Sequence, residues 1–257
     1  MLSSPHNPKI QWVRALQSRG KARRESSAFV IEGVRLAEEA LIAGWEAQLV
    51  LYTAGLGERG QKVIEGFAAR GAPVEQVTPQ TMRAASDTET PQGILAVLPL
   101  RPLPLPEKPD FVFIPDGVRD PGNLGTMLRT AAAAGVGAVF LPRRTVDAFS
   151  PKVVRAAMGA HFRLPILEMT WEEIRAQITT AALRVFLASV GEGECYTQAD
   201  FRSPLALIIG GEAAGAGEFA QQLAQVRVHI PMPGRTESLN AAVAAGLLLF
   251  EVVRQRL

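Results

Sequence analysis

The chain has 257 residues, 47% of them hydrophobic and 20% charged, which supplies ordinary cores for one large or two small domains. A single cysteine, Cys195, excludes an internal disulfide and a cysteine-based zinc site; no metal-ligand cluster is evident, and no apolar run reaches the ~18 residues of a membrane-spanning helix. The net charge of +2 is unevenly spread: residues 1–35 hold seven basic and two acidic side chains, a net +5, and the rest holds twenty against twenty-three, a net −3.

A basic arm on a slightly acidic body points to a polyanionic partner, although a solvated helix face gives the same pattern. The start, Met1-Leu-Ser-Ser-Pro-His-Asn-Pro8, has no apolar stretch of the secretory kind. Sparse cysteine suits a reducing compartment, so a cytoplasmic location is expected.

Residues 8–19 predict a helix, with Ile10, Val13 and Leu16 at roughly helical spacing. A short strand follows at 29–31 and a helix over 34–43, stopped by Gly44. Next come a strand at 49–52, a helix over 61–69 ending near Gly71, and a strand at 73–77. Pro79 opens a short helix, and 93–98 is the last strand of this first α/β region. Five prolines between Pro99 and Pro109 then fix an extended spacer. Expected domains are therefore 1–100 and 110–257, joined by a linker over 101–109.

The second region also alternates. Strands are expected at 111–114, 137–141, 184–188, 205–209 and 226–230, and helices over 121–134, 150–158, 171–181 and 238–254. Ser150 and Ser238 are the expected helix caps. Near-continuous apolar strands between helices imply a parallel sheet covered on both faces.

Three stretches in this region each start at the end of an apolar run and continue in glycine, proline and small polar residues. They are Asp116-Gly-Val-Arg-Asp-Pro-Gly-Asn-Leu-Gly-Thr-Met-Leu-Arg129, Ile209-Gly-Gly-Glu-Ala-Ala-Gly215 and Ile230-Pro-Met-Pro-Gly-Arg-Thr-Glu-Ser-Leu-Asn240. Strand ends of this kind hold ligands in α/β proteins. Singly, each reads equally well as a cap, a turn or a bend. No Gly-Lys-Ser/Thr marks a P-loop, and Gly-x-Gly-x-x-Gly is missing after every strand, which disfavours a nucleotide-dependent oxidoreductase.

In combination, Asn123…Arg129, Gly210-Gly-Glu212…Gly215 and Ile230-Pro-Met232…Ser238-Leu-Asn240 resemble the three motifs of the SpoU/TrmH-type RNA 2′-O-ribose methyltransferases of the SPOUT superfamily. The resemblance covers about 110–257, including Ser150-Pro-Lys-Val-Val-Arg-Ala-Ala-Met-Gly-Ala160. Residues 1–100, through Phe29-Val-Ile-Glu-Gly33 and Pro91-Gln-Gly-Ile-Leu95, resemble the ribosomal-protein-like RNA-binding domain often attached to such enzymes.

That resemblance implies an α/β fold: a parallel-sheet SPOUT domain with a deep trefoil knot, preceded by a small α/β RNA-binding domain. It implies S-adenosylmethionine as cofactor, contacted by Gly210, Ile230 and Leu239 with Gly211 and Met232 beside them. It further implies a homodimer without a metal, and catalytic roles for Arg129, Asn123, Glu212, Ser238 and Asn240. Arg129 is expected to bind a substrate phosphate; Glu212 is the other group considered for proton removal, since a guanidinium is a poor base. Lys9, Arg14, Lys21, Arg23 and Arg24 are the expected RNA contacts. Ribosomal RNA of the large subunit is the favoured substrate, with transfer RNA, or non-catalytic RNA binding on the same fold, as alternatives. Position 213 departs from the family, with alanine where glycine is usual.

Overall fold

The computed structural model describes every residue except 213, 214 and 235. Its contacts divide the chain into two compact units. The first comprises Met1–Arg101 with Phe149–Phe162, and the second Pro102–Ala148 with Arg163–Leu257.

In the first unit, helix α1 (Pro8–Ser18) begins where the Asn7 side chain accepts the Lys9 amide, and it buries Ile10, Val13 and Leu16 completely. A seven-residue helix, α2 (Gly20–Ser26), follows; it is too short and polar for apolar spacing to announce it. Then come β1 (Ala28–Glu32), α3 (Val34–Ile42), β2 (Leu49–Tyr52), α4 (Glu58–Ala69), β3 (Val74–Gln76), α5 (Pro79–Ala85) and β4 (Ile94–Pro99). The sheet order is β1-β4-β2-β3, with β4 antiparallel to both neighbours and β2 parallel to β3. Ile10, Val13 and Leu16 meet Val30, Leu51, Leu95 and Val97 in one core.

The second unit opens with β5 (Phe111–Asp116), α6 (Pro121–Ala133) and β6 (Ala138–Pro142). The chain then forms α7 (Pro151–Ala157) and a single 3-10 turn, Ala160–Phe162, which belong by contact to the first unit. There Phe149 packs edge-on to Phe29 with ring centroids 5.1 Å apart, Phe162 lies 5.6 Å from Trp45, and the Trp45 indole N–H donates to the Phe162 carbonyl. The uninterrupted 110–257 region expected from the proline spacer therefore differs from the grouping by contact. An aromatic cluster draws 149–162 away, and sequence separation hides it.

The second unit resumes with β7 (Ile166–Met169), α8 (Trp171–Thr180), β8 (Arg184–Ala188), β9 (Glu194–Cys195), β10 (Leu205–Gly210), α9 (Glu218–Leu223), β11 (Val226–His229) and α10 (Ala241–Arg256). Among the described residues its seven strands run in the order β7-β6-β5-β10-β8-β11-β9, and every pairing of these strands is parallel. β5 and β6 are buried along their whole length, as a sheet covered on both faces requires. The short edge strands β7 and β9 and the helix α9 carry too little pattern to be predicted. Helix α10 starts at 241 rather than 238. Asn240, not Ser238, caps it, because the Asn240 Oδ1 accepts from the amides of both Ala242 and Val243.

One expected RNA contact is corrected here. Arg23 is buried, and its Nη1 donates to the carbonyls of Leu16 at 2.5 Å and Gln17 at 3.4 Å. These carbonyls lie in the last turn of α1, where no helical partner remains. Replacing Arg23 by Ala should therefore destabilise the protein by about 1–3 kcal/mol through unsatisfied buried carbonyls. Chemical denaturation measures this, and the salt dependence of RNA binding should stay as in the unaltered protein.

Candidate active site

Because the strands are parallel, the ends of β5, β8, β10 and β11 come out on one edge of the sheet, where such folds bind ligands. A cavity of about 420 Å³ opens there, between the ends of β8, β10 and β11 and the first turns of α10. All five residues expected to contact a cofactor, Gly210, Gly211, Ile230, Met232 and Leu239, line it, together with Glu212, Ser238 and Asn240. Sequence reasoning missed Ser189 and Val190, just past β8, and Ala244 and Leu248 on α10. Only the apolar run of β8 hinted at the first pair, and a buried helix face carries no mark of a cavity.

The glycines of the second motif are required by close approach. A Cβ on Gly210 would lie 2.3 Å from the Ala216 amide nitrogen, and one on Gly211 would lie 2.2 Å from the Gly117 carbonyl oxygen. The segment after β10 thus rests directly on the turn after β5. Asp116 holds it: its carbonyl accepts the Gly211 amide at 2.8 Å, and its buried carboxylate accepts the Gly217 amide at 2.7 Å. The departure from the family at Ala213 lies outside the described residues.

Three predicted polar residues meet beside this segment. Asp120 caps α6 by accepting the Asn123 amide, which sets Asn123 in the first turn. The Asn123 Nδ2 donates to Glu212 Oε1 at 2.6 Å, and its Oδ1 accepts from Asn240 Nδ2 at 3.0 Å. Asn240 in turn caps α10 through its Oδ1. The direction of each bond is fixed, since the carboxylate accepts only and the α10 amides donate only. Burial pushes the Glu212 carboxyl upward, but the Asn123 amide and the Arg119 backbone N–H outweigh it and hold it below the ordinary glutamate range. It is therefore ionised near neutrality and a poor proton acceptor.

The other two predicted catalytic residues stand apart from this chain of bonds. Ser238 lines the cavity, is exposed and caps no helix among the described residues. Arg129 is exposed, on the α6 turn about 9 Å along the axis from Asn123. In the first unit, Lys9 is paired with Glu75, and Lys21 lies 3.6 Å from Glu25 across one helical turn. Arg14 and Arg24 are exposed and have no ion pair among the described residues.

The cavity fits an extended, partly apolar cofactor such as S-adenosylmethionine. Its volume lies within the usual ligand range of about 300–1,000 Å³. Val190, Ile230, Met232, Leu239 and Leu248 supply apolar wall, and Glu212 supplies a charge. Among the described residues, the amides of Ile230, Met232 and Leu239 have no backbone partner, so they are available to a ligand.

Two outcomes are expected. Gly211→Ala should lower S-adenosylmethionine affinity by tenfold or more, measured by calorimetry, because the added methyl collides with the Gly117 carbonyl. Asn123→Asp should set two carboxylates against each other and raise the pKa of one. Its melting temperature should fall relative to the unaltered protein near pH 8 and recover as acid protonates the pair, the reverse of what a lone depressed carboxylate gives.

Comparisons with known proteins agree with this geometry. The SpoU rRNA Methylase family profile matches residues 110–250, and that of the MRM3-like substrate binding domain matches 7–96. The 23S rRNA (guanosine(2553)-2'-O)-methyltransferase RlmP of Bacillus subtilis is 32% identical over 253 residues, covering 98% of each chain. The 23S rRNA (guanosine-2'-O-)-methyltransferase RlmB of Xylella fastidiosa is 36% identical over 222 residues, 85% of this chain and 82% of that one. Among solved structures, the AdoMet-bound rRNA methyltransferase of Sinorhizobium meliloti superposes with a TM-score of 0.89 at 33% identity, covering 100% of this chain and 98% of the other. The motifs, the parallel sheet that brings them together and these whole-length matches lead to one conclusion: the chain belongs to the SpoU rRNA methylase family.

Proposed function

We propose that this protein transfers a methyl group from S-adenosylmethionine to a ribose 2′-hydroxyl of large-subunit ribosomal RNA. The observation that carries the reading is the Glu212–Asn123–Asn240 chain of hydrogen bonds at the rim of the 420 Å³ cavity. A pure RNA binder has no use for such a set beside a ligand-sized cavity. Ribosomal RNA is favoured over transfer RNA because relatives matching along nearly the whole chain act on 23S rRNA.

Bound there, S-adenosylmethionine supplies an activated methyl group. The residues of this chain align the hydroxyl and hold the RNA, and alignment contributes much of the rate in such a displacement. Glu212, ionised and committed to Asn123 and the Arg119 amide, orients the segment that walls the cavity and is not the base. Arg129, exposed and without a partner among the described residues, binds the phosphate next to the reacting ribose. Ser238 and Asn240 shape the far rim. Arg14, Lys21 and Arg24 in the first unit contribute sequence-independent grip.

The reading includes a homodimer. Val243, Leu247 and Phe250 recur at helical spacing on α10 and are 53%, 40% and 48% exposed, an apolar stripe suited to a second copy. Helix α10 packs on α6, which carries Arg129, so a partner seated on the stripe lies beside the catalytic helix pair. The reading also includes the family's trefoil knot in the second unit and a cytoplasmic location with the ribosomal RNA.

Mapping of 2′-O-methyl sites in ribosomal and transfer RNA, from cells with and without the protein, tests the function. One ribosomal site should disappear; loss confined to transfer RNA, or no loss, rejects the reading. Arg129→Ala should cut methyl transfer by two orders of magnitude or more while calorimetry shows unchanged cofactor affinity, whereas near-normal turnover refutes its phosphate role. Glu212→Gln should leave any inflection of rate between pH 5 and 8 in place, because Glu212 is ionised throughout that window.

A further inference from the structure

The expected RNA contacts other than Arg129 fall in the first unit, yet the second unit carries further cations. Arg119 follows β5, and Arg143 and Arg144 follow β6. β5 and β6 are parallel neighbours, so both loops leave the same edge of the sheet as the cofactor cavity. All three arginines are exposed, and none has a hydrogen bond or ion pair from its side chain among the described residues.

Arg119 and Arg144 line one small cleft of about 80 Å³. Gly211, Glu212 and Gly215 wall this cleft and the cofactor cavity alike, so these three residues stand between the two. The two carboxylates that share the cleft are hydrogen-bonded to neutral amides and not to either guanidinium. That of Asp116 is buried and accepts the Gly217 amide, and that of Glu212 accepts from Asn123 and the Arg119 backbone. Nor are the loops loose. Thr145 Oγ1 accepts the Gly117 amide and donates to the Pro115 carbonyl, and the Val146 amide donates to Val118. The guanidiniums are therefore carried on loops clamped to each other.

We infer that Arg119 and Arg144 form a phosphate clamp that holds the RNA backbone beside the target ribose. Two guanidiniums at a preorganised cleft match a phosphodiester, which accepts bidentate bonds from each. The cleft holds roughly two to three water volumes, room for a phosphate group but not for a nucleobase. Gly211, Glu212 and Gly215 then stand between that phosphate and the methyl donor. The clamp complements Arg129 on α6 and fixes the register of the strand; base contacts must come from elsewhere. This inference rests on the RNA methyltransferase reading above.

The test uses the full-length protein, an unmodified 23S rRNA transcript and labelled S-adenosylmethionine. Arg119→Ala and Arg144→Ala should each raise the apparent KM for the transcript about tenfold. The double variant should reduce the salt slope of transcript binding by about 1.4–2, since each lost phosphate contact removes about 0.7–1. Cofactor affinity by calorimetry should not change, which also reports that the fold is intact. Arg119→Lys and Arg144→Lys should keep the salt slope while losing part of the affinity, because charge remains and the bidentate fork does not. An unchanged KM and salt slope in the double alanine variant, with an active unaltered protein, overturns the clamp and leaves the methyltransferase reading standing. An unaltered protein that methylates no ribosomal RNA overturns both.

Discussion

The site depends on the contact between the segment after β10 and the turn after β5. Two strands that are neighbours in the sheet but nearly a hundred residues apart in the chain end side by side, and Asp116 ties them through both its carbonyl and its carboxylate. A buried carboxylate is costly unless its lone pairs are used, and here a backbone amide uses one. The close approach of Gly211 to the Gly117 carbonyl leaves no room for a side chain. Everything downstream follows from that seating: the wall of the 420 Å³ cavity, the position of Glu212, and the separation of that cavity from the arginine cleft.

From Glu212 the ordering passes through carboxamides. Asn123 presents its amide to the carboxylate and its oxygen to Asn240, and Asn240 spends its own oxygen on the start of α10. A carboxylate at one end and helix amides at the other leave one orientation for each carboxamide. The three motifs are thereby one hydrogen-bonded object, and under the proposed function the charge of Glu212 serves geometry rather than proton transfer. That division suits a reaction that needs alignment more than acid–base power.

Much of the architecture was legible in the residues. Apolar runs located β2 and β8 to the residue, and Pro79 stands where α5 begins. The elements that escaped were short or polar: α2, β7, β9 and α9 lack the length over which periodicity can be read. The cap of α10 was misplaced by two residues because serine and asparagine cap equally well in sequence, and only the fold shows which oxygen meets the amides. Arg23 looked like its neighbours Lys21 and Arg24 because charge composition does not distinguish a solvated guanidinium from one satisfying the carbonyls that end a helix.

By itself the sequence determined the α/β class, the three motifs and the small residues that let backbones approach, since these depend on local propensity and on steric limits at single positions. Tertiary structure decided what those residues do together. It joined Asn123 to Glu212 and Asn240, gathered the five residues expected to contact the cofactor around one cavity, and drew Phe149–Phe162 into the first unit. It also set Arg119 and Arg144 around one cleft although they come from different loops. Such groupings rest on the parallel register of distant strands and on contacts between their end loops, and no local pattern encodes them.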